Sequence, residues 1–165
     1  MQLDTILTTF SFKDIGLLAR TVEDMGFDAL WGLENQHEPF MPLAVAATAT
    51  SKIQLGTAIA LAFTRSPMTL AYTAWDLQAG SLGRFILGLG TQVNGHHDRR
   101  FSVRWECPGP KLRELIQALR AIWDCWQNDS KLNFTGQFYN FTLMPPAFQP
   151  GKSAHPHVPV YIAGV

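Results

Sequence analysis

The chain has 165 residues, 47% of them hydrophobic, at a mean hydropathy of +0.02, which is ample for an ordinary globular core and too apolar for a disordered chain. Thirteen basic and thirteen acidic side chains give a formal charge of +0, so no net field draws the chain to nucleic acid or to an anionic membrane. Its apolar runs, broken by Gly and Thr, fall far short of the roughly 20 residues that cross a bilayer.

From the start of the chain, LDTILTT reads as a short strand. Ser11 then opens a helix, with Asp14 at its third position and Phe10 and Ile15 placed as a hydrophobic staple. Ile15, Leu18, Ala19, Val22 and Met25 follow at helical spacing, and Gly26 is the stop. FDALWGL is a second strand, and after ENQHEPF a helix begins near Pro42 and runs through LAVAATATS. IQLGTAIA is a third strand, apolar nearly throughout, as expected where both faces are covered. Its helix has Ser66 as cap and Pro67 as first residue, and ends near Gly80. RFILGLG is a fourth strand. The connection TQVNGHHDRRFSVRWECPG leads into a helix whose Leu112, Leu115, Ile116, Leu119, Ile122, Trp123 and Trp126 make one apolar face. An irregular segment rich in Pro, Asn and aromatics precedes VPVYIAGV, a fifth strand.

The start, MQLDTILTTF, lacks the basic flank and small-residue cleavage site of a secretory signal. Cys107 and Cys125 have no second Cys or His at zinc-ligand spacing. Together these features predict a cytoplasmic chain with reduced, inert thiols.

Four βα units and a bare strand make the front of a (β/α)8 barrel or of an open doubly wound sheet. A complete barrel needs about 250 residues, so the chain reads either as an open five-stranded sheet or as a truncated barrel. In either case ligands bind at the carboxyl ends of the strands, which directs attention to 53–92. Gly88, Gly90 and Gly95 miss the G-x-G-x-x-G spacing because Val93 stands where a Gly is needed, and no G-x-x-x-x-G-K-[ST] exists. Ser81, in AGSLG, sits before a strand and not on a strand-to-helix elbow, which argues against a serine hydrolase.

GFDALWGLEN, KIQLGTAIA, RSPMTLAYTAWDLQAGSLGRFILGLGTQV and PVYIAGV, in that order, are similar to the bacterial luciferase-like superfamily of flavin- and deazaflavin-dependent oxidoreductases. Within it the chain most resembles the deazaflavin branch, which uses coenzyme F420; an enzyme using FMN is the alternative. The resemblance implies an α/β fold of the parallel (β/α)8 TIM-barrel type, of which 1–165 form the N-terminal part of a single domain: four βα units plus a fifth strand. It implies a cis peptide between Ala58 and Ile59 in a bulge ending the third strand, against which the cofactor ring packs. Thr91 would donate its hydroxyl to a ring carbonyl or ribityl oxygen, His96 would stand near the cofactor, and Gly164 would lie at the edge of its phosphate loop.

Members of the superfamily often carry a His behind an acidic residue after the second strand. Here Asn35 and Gln36 follow Glu34, and His37, displaced by about two places, is the candidate acid/base group. A surface histidine without a catalytic task is the competing reading. Gln92 and Val93 stand where sugar-phosphate-oxidising relatives have an acid. His97, beside His96, is expected to face away from the site, with Asp98, Arg99 and Arg100 a solvated charge cluster. Trp31, Trp75, Trp123 and Trp126 are expected in the core. Phe63, Phe101 and Trp105 are candidates to line a substrate pocket.

The implied activity is hydride transfer between the bound deazaflavin or flavin and a small organic substrate, or monooxygenation with FMN, in a homo-oligomer or with the missing barrel half. A truncated, noncatalytic fragment or interaction module is the reading from another class. It rests on the exposed edges that the first and fifth strands would present.

Overall fold

A computed structural model describes residues 1–9 and 11–164; the proposed staple residue Phe10 and the terminal Val165 lie outside the described residues. In chain order the elements are β1 (Asp4–Ile6), α1 (Phe12–Asp24), β2 (Ala29–Gly32), α2 (Phe40–Ala49), β3 (Gln54–Thr57), β4 (Ala60–Leu61), α3 (Pro67–Gly80), β5 (Phe85–Gly90), α4 (Asn94–Arg99), α5 (Pro108–Asn128), β6 (Phe134–Thr135), β7 (Asn140–Phe141) and β8 (Val160–Ile162). They fall into two compact units. One comprises Met1–Ala60, Asp76–Gly90 and His157–Val165, the other Leu61–Trp75 and Thr91–Pro156.

The first unit is a parallel sheet. β1 pairs with β2, β2 with β3, β3 with β5 and β5 with β8, all in parallel. The register sets Trp31 beside Gly56 and Gly88 beside Tyr161. Every residue of β5 is buried, which is why FILGLG carries no polar side chain. Helix α1 buries Ile15, Ala19 and Val22. Met25, expected on that face, is instead the exposed C-cap, because the helix ends there and Gly26 takes a φ of +84°, the left-handed stop that glycine makes easy.

Side chains tie the helix ends to the sheet. Ser11 occupies the N-cap of α1 but makes no side-chain capping bond. Helix α2 starts at Phe40, two residues ahead of the expected start, because the Glu38 carboxylate accepts from the Phe40 and Met41 amides at 2.8 and 2.9 Å and takes up donors that a helix leaves open. The Glu23 carboxylate accepts from the amides of Ser51, Lys52 and Ile53. Burial pushes its pKa up, but those hydrogen bonds outweigh it and hold it below the usual value. Arg84 closes α2 from the other side: its guanidinium donates to the carbonyls of Ala47, Thr50, Ile53 and Ser81 and to Thr50 Oγ1, at 2.8–3.2 Å. The orphan carbonyls of a helix end are thereby satisfied by one planar fork.

The second unit is built on α5. Its buried Leu112, Leu115, Leu119, Ile122, Trp123 and Trp126 follow the predicted face. Trp123 Nε1 donates to the Ala71 carbonyl at 3.2 Å. Trp126 stacks on Tyr72 at 4.7 Å between centroids and meets Trp75 edge-on at 5.7 Å. The irregular segment holds an antiparallel hairpin, β6 with β7, whose turn amides at Gln137, Phe138 and Tyr139 donate to the Glu114 carboxylate at 2.7–2.9 Å. Cys107 is exposed, and Cys125 is buried with its thiol on the Ser130 carbonyl; both are free. Among the described residues no helix is long and apolar enough to cross a membrane.

Candidate functional site

The apolar run expected as one strand over 53–60 is interrupted. Strand β3 stops at Thr57, the Ala58–Ile59 peptide is cis, and β4 resumes at Ala60. The cis bond falls at the place the resemblance implied.

Thr57 closes the end of β3 onto β5. Its buried hydroxyl donates to the Gly88 carbonyl at 2.7 Å and accepts from the Gly88 amide at 3.0 Å. A Cβ at Gly88 would stand 1.8 Å from the Thr57 carbonyl oxygen, and one at Gly90 would stand 2.7 Å from Ile59 Cδ1. Gly88 is therefore required by the close approach of the Thr57 main chain, whereas at Gly90 the obstacle is the end of the Ile59 side chain. Thr57 was not a sequence candidate; its signal is a hydroxyl at the buried end of a strand whose other polar residue, Gln54, is exposed.

Against this clamp lies a concavity of about 220 Å³ lined by Trp31, Thr57, Ala58, Ile59, Gly88, Tyr161, Ile162 and Ala163. Because the strands are parallel, these residues gather toward one end of the sheet, the carboxyl end where α/β proteins bind ligands. Trp31, expected in the core, is only half-buried and forms part of this wall. Its ring leans over Gly56, where a Cβ would stand 2.3 Å from the ring, and its Nε1 donates to Asp4 at 3.1 Å. Tyr161 faces it at 6.3 Å between centroids.

Among the described residues no charged side chain lines the concavity, and the Thr57 hydroxyl is already engaged. The surface thus fits the face of an apolar aromatic ring. Its volume is below the roughly 300–1,000 Å³ of a whole ligand pocket, so it is one wall and not a complete site. Gly164 is exposed beyond Ala163, and among the described residues no distant group lies within 4 Å of a Cβ placed there. His37 is not part of the wall. It is exposed and lines a separate dent with Phe12, Glu38, Met41 and Pro42.

Thr91 and His96 belong to the second unit. The Thr91 hydroxyl donates to the Gln92 carbonyl at 3.3 Å, the local backbone bond that a strand-end threonine commonly makes. The next residues form the short helix α4, which the charge cluster had concealed. On it the two histidines differ: His96 is exposed and His97 is fully buried. His97 was expected to face away from the site, and no burial was foreseen for it. Its ring lies 5.7 Å from that of Phe63 and 4.9 Å from that of Trp105, and its Nε2 is 2.6 Å from the Thr91 carbonyl. Phe63 is likewise buried, packed on His97 and Trp105 and so not free to line a substrate pocket. Among the described residues no cluster of His, Cys, Asp and Glu could hold a metal ion.

The luciferase-like monooxygenase family matches residues 2–165. An uncharacterized protein of Mycobacterium tuberculosis is 49% identical over 147 residues, 89% of this chain and 43% of that protein. A 5,10-methylenetetrahydromethanopterin reductase of Methanolobus tindarius is 30% identical over 146 residues, 87% of this chain and 42% of the reductase. The chain therefore spans less than half the length of these relatives. The crystal structure of a monooxygenase from Streptomyces bottropensis superposes with a TM-score of 0.81 at 21% identity, covering 98% of this chain and 53% of that one, a likeness of fold. The parallel sheet, its helices and the matched residues together place this chain in the luciferase-like monooxygenase family, spanning about half of its barrel.

Proposed function

We propose that the chain forms part of the cofactor-binding side of an oxidoreductase that exchanges hydride between a bound deazaflavin or flavin and a small organic substrate. The observation that carries this reading is the uncharged wall at the carboxyl end of the sheet, built of Trp31, Ala58, Ile59, Gly88 and Ala163 around the Thr57 clamp. When bound there, the cofactor supplies the hydride donor or acceptor. The chain's own residues set its surroundings: Ala58 and Ile59 carry the ring face, the Thr57–Gly88 bonds keep that face rigid, and Trp31 and Tyr161 keep water from it. Since no basic residue among the described ones lines the wall, the cofactor's phosphate would be held elsewhere. The roles that the resemblance implies for Thr91, His96, Gly164 and His37 stand as proposals, as does assembly into a homo-oligomer.

Coenzyme F420 is favoured over FMN by the 30% identity to a methanopterin reductase, since a solved reductase of that kind with this fold is described as F420-dependent. FMN is the second reading because a Baeyer–Villiger monooxygenase of the same fold was solved with it. Titrating the chain with each cofactor while following tryptophan emission tests both. Quenching by one of them, reduced in Trp31→Phe and weakened in Thr91→Ala or His96→Ala more than in His155→Ala, is the expected result. Binding of neither would refute the reading and favour a noncatalytic fragment.

A further inference from the structure

The turn that follows β5 is held by few local bonds. Gln92 takes a φ of +58°, a left-handed conformation that a glutamine enters at a cost. The side-chain bonds inside the turn are long: Thr91 Oγ1 to the Gln92 carbonyl at 3.3 Å and the Val93 amide to Gln92 Oε1 at 3.2 Å. By contrast, His97 Nε2 reaches the Thr91 carbonyl at 2.6 Å. A carbonyl oxygen can only accept, so Nε2 carries the proton and a neutral ring leaves Nδ1 as an acceptor. That Nδ1 is buried and has no hydrogen-bond partner among the described residues. For packing alone between Phe63 and Trp105, a phenylalanine or leucine would serve without leaving a buried nitrogen unpaired. The histidine is explained by the bond its far nitrogen makes. Its backbone extends the tie, since the Val103 amide donates to the His97 carbonyl at 2.8 Å.

We propose that His97 is a positioning residue for the Thr91 turn. As the Nε2–H tautomer it holds the Thr91 carbonyl and thereby fixes where the Thr91 hydroxyl points. Its consequence for cofactor binding rests on the role proposed above for Thr91, whereas the lock itself does not.

Two substitutions separate the bond from the packing. His97→Phe keeps a ring against Phe63 and Trp105 and loses the donor; His97→Gln has an amide nitrogen at a similar reach and loses the ring. Hydrogen exchange on the chain without cofactor is expected to speed up at least tenfold over 91–97 in His97→Phe, with α5 unchanged, and to return toward the parent rate in His97→Gln. Coenzyme F420 or FMN, whichever the parent chain binds, should bind about fivefold more weakly to His97→Phe and recover with His97→Gln. Adding Thr91→Ala to His97→Phe should then weaken binding little further. Unchanged exchange over 91–97 in His97→Phe overturns the lock, and so does a His97→Gln variant as loose as His97→Phe. Should His97→Phe loosen α5 as well, the His97→Gln rates alone decide. A parent chain that binds neither cofactor defeats the proposed function while the exchange rates still decide the lock.

Discussion

Replacing Gly88 by alanine tests whether the β3–β5 clamp is built as described. The new Cβ would stand 1.8 Å from the Thr57 carbonyl oxygen, and that oxygen is main chain, so no rotamer change relieves the contact. The strands must part by more than 1 Å to reach an ordinary separation, given that real Cβ atoms essentially never come within 3.0 Å. Parting them stretches both bonds between Thr57 Oγ1 and Gly88, now 2.7 and 3.0 Å. Overpacking costs roughly 1–3 kcal/mol, and two buried hydrogen bonds add about 1 kcal/mol each. Restricting the unfolded chain returns up to about 1 kcal/mol. A net loss of roughly 2–4 kcal/mol is therefore expected, a large share of the 5–15 kcal/mol typical of a domain. Urea unfolding followed by circular dichroism measures it, with Gly80→Ala as the control. Gly80 lies in α3 with nothing within 4 Å of its added Cβ, so that change should be neutral or slightly stabilising. If Gly88→Ala unfolds within about 1 kcal/mol of Gly80→Ala, the argued closeness of β3 and β5 is wrong.

Arg84→Met should cost roughly 2–4 kcal/mol, since hydrogen bonds to a charged group are worth about 1.5–3 kcal/mol and several are lost together. Hydrogen exchange should rise around the C-terminal end of α2 and the turn to β3, with Arg84→Lys restoring only part; uniform loosening of the whole chain would contradict a capping role. Glu114 gives a pH dependence. Burial raises its pKa, but the amides of Phe138, Tyr139 and Gln137 together outweigh it and hold it below the usual value. With its folded value depressed, its contribution is present above the unfolded glutamate range and is lost as pH falls through the folded value. Exchange in the β6–β7 hairpin should accelerate below about pH 4 in the parent chain and be fast, without that acid step, in Glu114→Gln; an identical acid profile in the two would remove the assignment.

The βα alternation, the faces of α1 and α5, and the cap-and-proline start of α3 could be read directly. They depend on contacts between residues three or four apart, which periodicity records. The interruption at Ala58–Ile59 could be named only through family resemblance, because IQLGTAIA reads locally as one strand, apolar nearly throughout. The short hairpin and α4 were missed for a related reason. Their sequences are polar and irregular, and each depends on one side chain's contact with a distant segment: the Glu114 carboxylate on the hairpin amides, and His97, on α4 itself, against Phe63 and Trp105.

By itself the sequence determined the class of sheet, the order of its strands' helices and the segment where function concentrates, since hydrophobic spacing and glycine placement are local quantities. Only the tertiary structure decided which of two adjacent histidines is buried, that Trp31 lines a wall and does not fill a core, and that Arg84 closes a helix more than thirty residues before it in sequence. Each of those outcomes depends on register and on how closely distant backbones approach. A one-residue step around a helix, or a missing Cβ on the neighbouring strand, is enough to reverse them.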